Sequence, residues 1–148
     1  MDEKAFRNAR GDINRLPCIF ERVLAARHAV CALAASQAVA ERETIACTVP
    51  LARAECARLA GLLREKSSFA LKLPRAQHIL PHAQMMRIQG GGLDGLRAVL
   101  DAAAPAPDVH RLVCLARDHH GGLEQLPFSE VVKGVAAWQG RRGRRVQP

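Results

Sequence analysis

Five cysteines stand at positions 18, 31, 47, 56 and 114 of this chain. Four of them, Cys18, Cys31, Cys47 and Cys56, are crowded into its first half. Thiolates are the ligands of structural zinc and of iron–sulfur clusters. Twelve, fifteen and eight residues separate the four, so no C-x-x-C pair is present. Any centre they build must therefore come from convergence in space, not from a local loop. The total is odd, and the start Met1-Asp2-Glu3-Lys4 is acidic with no apolar stretch behind it. Both features argue against a secreted disulfide framework. The sequence nominates Cys18, Cys31, Cys47 and Cys56 as ligands of a zinc ion or an iron–sulfur cluster. The competing reading makes them small apolar fillers of an alanine-rich core, which free Cys does well. A reactive thiol is the third option, and His28, one helical turn before Cys31, is the nearest base.

Other residues could also carry chemistry. His78, His82, Met85 and Met86 lie close together in H-I-L-P-H-A-Q-M-M, a donor set that suits copper. Pro81 breaks the helical spacing of the two histidines, and paired Met usually belongs to a core. His110 and Cys114 share a helix face. His119 and His120 fall at a helix end, where cationic imidazole complements the dipole. The run Gly90-Gly91-Gly92-Leu93-Asp94-Gly95, flanked by Arg87 and Arg97, could open a helix and offer backbone N–H groups to an anion. It lacks the Lys-Ser/Thr of a phosphate loop.

The elements that must hold these residues read as helices. Ala (26) and Leu (17) dominate, and both favour helix. Aromatic residues amount to four Phe and one Trp, with no Tyr, and β-branched residues are sparse, which disfavours strands. The expected fold is all-α: a compact bundle of about five helices with a Pro/Gly-interrupted middle. The first helix is expected from Pro17 to Arg42 and a second from Pro50, after a cap at Cys47 or Thr48. Helix signals fade at Ser67-Ser68, and Gly90-Gly91-Gly92 reads as punctuation before a short helix, Leu93 to Leu100. Asp101 to Pro107 reads as a linker. Asp108 caps a helix from Val109 to about His119, closed by Gly121-Gly122. A last helix runs from Ser129 to Trp138. In an antiparallel hairpin hinged near residue 46, Cys31 and Cys56 would miss each other by roughly 7 Å along the axis. The expected organisation is a flexible start (1–12), one helical domain (13–139) and an Arg-rich disordered tail (140–148).

The formal charge of +8 is uneven. Residues 53–97 carry eight basic and three acidic groups, and the tail adds Arg141, Arg142, Arg144 and Arg145. A basic patch of Arg53, Arg58, Arg64, Lys66, Lys72, Arg75 and Arg87, assisted by the tail, could engage nucleic acid or an acidic protein. The absence of aromatic interleaving argues against a stacking platform for bases. No apolar run reaches the length of a membrane span.

Three blocks carry a likeness to known proteins: Leu62 to Pro74, Leu80-Pro-His-Ala-Gln, and Ile88 to Leu96. Over about residues 16–100 the chain resembles a small uncharacterised family of proteobacterial proteins, whose members have a Cys where this chain has one of Gly90 to Gly92. The resemblance implies no activity, and it implies that this chain has lost one thiol. The expected function is a non-enzymatic accessory or binding protein of a bacterial cytoplasm, with a protein partner and a metal or iron–sulfur centre. The alternative is a cofactor-free basic binding module.

Overall fold

The computed structural model describes residue 4, residues 16–72 and residues 79–140. Arg75, His78 and the tail arginines Arg141, Arg142, Arg144 and Arg145 lie outside the described residues. The order is α1 (Glu21–Ala25), β1 (Ala34–Val39), β2 (Arg42–Cys47), α2 (Pro50–Leu71), α3 (His82–Leu100), α4 (Val109–His120), a 3-10 turn (Leu123–Gln125) and α5 (Phe128–Ala136). The fold is helix-rich but mixed α/β, not the all-α bundle that composition predicts.

The correction falls on the segment expected as one long helix, Pro17 to Arg42. Helix α1 lasts five residues, and Arg27 (φ 63°) turns the chain out of it. Residues 34–47 form an antiparallel hairpin with Ala34 opposite Cys47 and Val39 opposite Arg42. Its two-residue turn has Ala40 at φ 56°. The free edge of β2 takes a second partner: Cys47 N–H donates to Leu16 C=O (2.8 Å) and Cys18 N–H to Ile45 C=O (2.9 Å). Glu21, in the first turn of α1, accepts from Thr44 Oγ1 (3.0 Å) and Ile45 N–H (2.8 Å). Alanine's helix preference is worth under about 1 kcal/mol per residue, and these long-range bonds override it.

Helix α2 starts where expected, with Pro50 in its first turn, but continues through Ser67-Ser68 to Leu71. Helix α3 holds the larger surprise. Gly90, Gly91 and Gly92 do not punctuate the chain; they lie buried in the middle of an unbroken 19-residue helix. Three helical glycines cost about 2.5–3 kcal/mol relative to alanines. Close contact offsets that cost. A Cβ on Gly91 would meet Val135 Cα at 2.6 Å, one on Gly95 would run into the Val131 carbonyl, and one on Gly134 into the Gly91 carbonyl. Helices α3 and α5 therefore touch backbone to backbone. Gly90 and Gly92 instead make room for side chains, those of Trp138 and of Leu63 on α2. The core joins this stripe to Phe20, Val23, Leu59, Leu63, Ile88, Leu93, Leu112 and Val131.

Helix α4 follows the expectation. Asp108 caps it by accepting from Arg111 N–H (3.3 Å), and Gly121 (φ 84°) closes it in the left-handed conformation. Helix α5 begins at Phe128 after Pro127, one residue before the expected Ser129 cap. Among the described residues no helix is long and apolar enough to cross a membrane.

Candidate metal centre

The hairpin that replaces the expected helix gathers the cysteines. Cys18 lies on the segment paired to one edge of β2, and Cys47 ends β2 itself. Cys31 leads into β1, its carbonyl accepting from Ala34 N–H (3.2 Å), and Ala34 is the partner of Cys47. Cys56 comes from the second turn of α2, which Pro50 opens. Arg53, one turn before Cys56, donates from Nε to Pro17 C=O (2.6 Å) and so ties α2 to the residue before Cys18.

All four thiols line one pocket, together with Ile19, Leu33, Ala34, Ala52, Arg53, Val109 and His110. Each of the four is half-buried, and all are free thiols. The space they enclose is a cavity of about 20 Å³, room for little more than one water. Burial is the main cause that pushes the Cys18 thiol up from 9.0 to about 11, while a hydrogen bond from the Phe20 backbone pulls it partly back. Burial likewise pushes Cys56 up to about 12, with Cys31, Cys18 and Cys47 adding to the rise. At neutral pH these two are thiols, and any metal would have to displace their protons. Cys47 donates its S–H to Val49 C=O (3.3 Å) beside the start of α2, which has no side-chain cap. The axial mismatch expected of a helical hairpin does not arise, because Cys31 and Cys47 are carried by the hairpin strands and their flanks.

Among the described residues no group of three or more His, Cys, Asp or Glu side chains is arranged to hold a single metal ion. Tetrahedral zinc with bonds of about 2.3 Å needs its sulfurs about 3.8 Å apart. The four thiols share a pocket without that convergence.

The other candidates are dispersed. His28 does not serve Cys31. It is buried, with Nε2 3.0 Å from Asp94 Oδ1 and its ring edge-on to Trp138. His82 Nδ1 lies 3.0 Å from Arg22 Nη1. Gly90 to Gly92 offer no helix N-terminus to an anion, because they lie mid-helix. Arg97 of that expected site reaches the Ala102 and Ala104 carbonyls instead. Cys114 stands apart from the other four, its Sγ 3.5 Å from both His110 Nε2 and Arg117 Nη2.

Arg53 and Arg87 donate to main-chain carbonyls of Pro17 and Val135, and Arg58 pairs with Glu55 and Glu124. Arg64 is half-buried on α2, while Lys66 lies over the Phe128 ring and Lys72 is exposed at the end of the helix. His110 is the residue of the pocket that spacing alone does not connect to the four cysteines. Its one sequence signal is its helical pairing with Cys114. No protein-family model, curated protein or solved structure matches the chain.

Proposed function

We propose that this protein holds an iron–sulfur cluster through Cys18, Cys31, Cys47 and Cys56. One observation carries the reading: four cysteines from separate segments, far apart in sequence, line a single pocket. Core filling alone gives no reason for four of five cysteines to meet. Half-buried thiols would leave such a centre within reach of an electron donor or acceptor. Loading would require the thiols to rotate about χ1 and the pocket to widen, since it now has room for little more than one water. The Phe20 N–H on Cys18 and the Arg53 guanidinium beside the pocket are the kinds of group that set a cluster's potential.

The test is anaerobic loading with ferrous iron and sulfide. The expected product is brown, absorbs broadly in the visible, and holds about four iron and about four sulfide per chain. Cys18→Ser, Cys31→Ser and Cys56→Ser abolish this loading, and Cys114→Ser leaves it unchanged. Loading that survives all three substitutions would sink the proposal, as would uptake of zinc alone.

A further inference from the structure

Cys114 lies outside the pocket of four cysteines, and it has company of its own. His110 precedes it by four residues and Arg117 follows it by three, so the three share one stripe of α4. Its Sγ lies 3.5 Å from His110 Nε2, and Arg117 Nη2 donates to the same sulfur at 3.5 Å. The two contacts differ in kind. A neutral imidazole nitrogen can take a thiol proton, whereas a guanidinium only donates and always carries charge. The sulfur thus has a base on one side and a fixed positive charge on the other. The thiol is free and half-buried.

The stripe is anchored and open. Val109 N–H donates to Val30 C=O (2.9 Å) and Val30 N–H to Pro107 C=O (2.9 Å), so Val30 clamps the start of α4 just before His110. His110 and Arg117 both wall an open hollow of about 580 Å³ bounded by α2, α4 and the 3-10 turn. A small reagent therefore reaches them from solvent. Arg58 on the same wall is paired with Glu55 and Glu124. Arg117 has no carboxylate partner among the described residues, and its N–H is directed at sulfur.

We propose that Cys114 is a peroxide-reactive thiol, with His110 as its base and Arg117 as the charge that steadies the sulfur anion. The oxidant is a hydroperoxide. His110 Nε2 takes the thiol proton, and the sulfur attacks one peroxide oxygen. An S–O bond forms and the O–O bond breaks. The departing oxygen keeps the electron pair of that bond and takes the proton back from His110. With hydrogen peroxide the products are Cys114 sulfenic acid and one water, the sulfur having given two electrons to the peroxide. The reaction needs no cluster.

The experiment treats the full-length chain with hydrogen peroxide at about pH 7 in the presence of dimedone, which traps sulfenic acid. Mass spectrometry follows the adduct on the Cys114 peptide, with glutathione as the free-thiol reference. Wild type is compared with His110→Gln, Arg117→Gln, Arg117→Lys and Cys56→Ser, each checked for folding by circular dichroism. A free thiol is already a few per cent thiolate at pH 7, which limits the gain to roughly 30-fold, and about tenfold over glutathione is expected. His110→Gln and Arg117→Gln are expected to lose most of that gain, and Arg117→Lys to keep part of it. Cys56→Ser, which the cluster reading expects to lose its iron, should match the wild type here. Cys114 labelling no faster than glutathione overturns the inference, as does a wild-type rate in both His110→Gln and Arg117→Gln. A rate that falls in Cys56→Ser overturns it too. A chain that takes up no iron but labels fast at Cys114 sinks the cluster reading and upholds this one.

Discussion

Two glycine-to-alanine substitutions separate packing from propensity. Gly61 and Gly91 both lie inside long helices, α2 and α3. Alanine improves helix propensity at each by about 0.8–1.0 kcal/mol. At Gly61 a new Cβ meets nothing within 4 Å, so the gain stands alone. At Gly91 it meets Val135 Cα at 2.6 Å and Gly134 C=O at 2.7 Å, and ordinary contact begins at 3.4 Å. Helix α5 must then retreat to restore that spacing, along a face where Gly95 and Gly134 also touch backbone. Overpacking of this kind costs about 1–3 kcal/mol, and the upper end applies because the obstacle is backbone. The net expectation is a gain of about 0.9 kcal/mol for Gly61→Ala and a loss of about 2 kcal/mol for Gly91→Ala. At roughly 3 °C per kcal/mol the two melting temperatures should differ by about 9 °C. Thermal unfolding followed by circular dichroism reads both. Equal stabilisation by the two substitutions would refute the backbone contact between α3 and α5.

Glu21→Gln removes the charge that accepts from Thr44 and Ile45, and should cost about 1.5–3 kcal/mol in urea unfolding. Ala40→Gly relieves a positive φ in the hairpin turn and should stabilise by about 1 kcal/mol in the same assay. The thiols of Cys18 and Cys56 are raised above their ordinary 9.0 to about 11 and about 12. Folding therefore favours their protonated forms, so this stability is complete below pH 9 and is lost as pH rises through 11 to 12. Urea midpoints of the metal-free chain should fall over that window, and a Cys18→Ala, Cys56→Ala double variant should fall less. In iodoacetamide mapping at about pH 8, Cys114 should react faster than Cys18 and Cys56, whose raised values hold them as thiols.

Local signals place the ends of several elements. Pro50 marks the start of α2, and Asp108 with Gly121 brackets α4, because caps act within a few residues of chain. The hairpin is not legible. Its strands are rich in Ala, and what makes them strands is pairing with Leu16 to Cys18 and the reach of Glu21, contacts made across the fold. The triple glycine misleads for a related reason: its meaning lies in Gly134, Val135 and Trp138, far along the chain. The cysteine cluster is legible as a count of thiols in a short stretch. Its geometry is not, because the hairpin brings Cys31 and Cys47 together where a helix would have spread them. His110 enters the pocket through the Val30 clamp, which no spacing in the sequence announces.

The most direct measurement counts iron and acid-labile sulfide in the protein purified without oxygen from iron-replete cells. A cluster on Cys18, Cys31, Cys47 and Cys56 predicts about four of each per chain, lost in Cys56→Ser and retained in Cys114→Ser. A folded chain free of iron, or one whose iron is indifferent to Cys56, would contradict it.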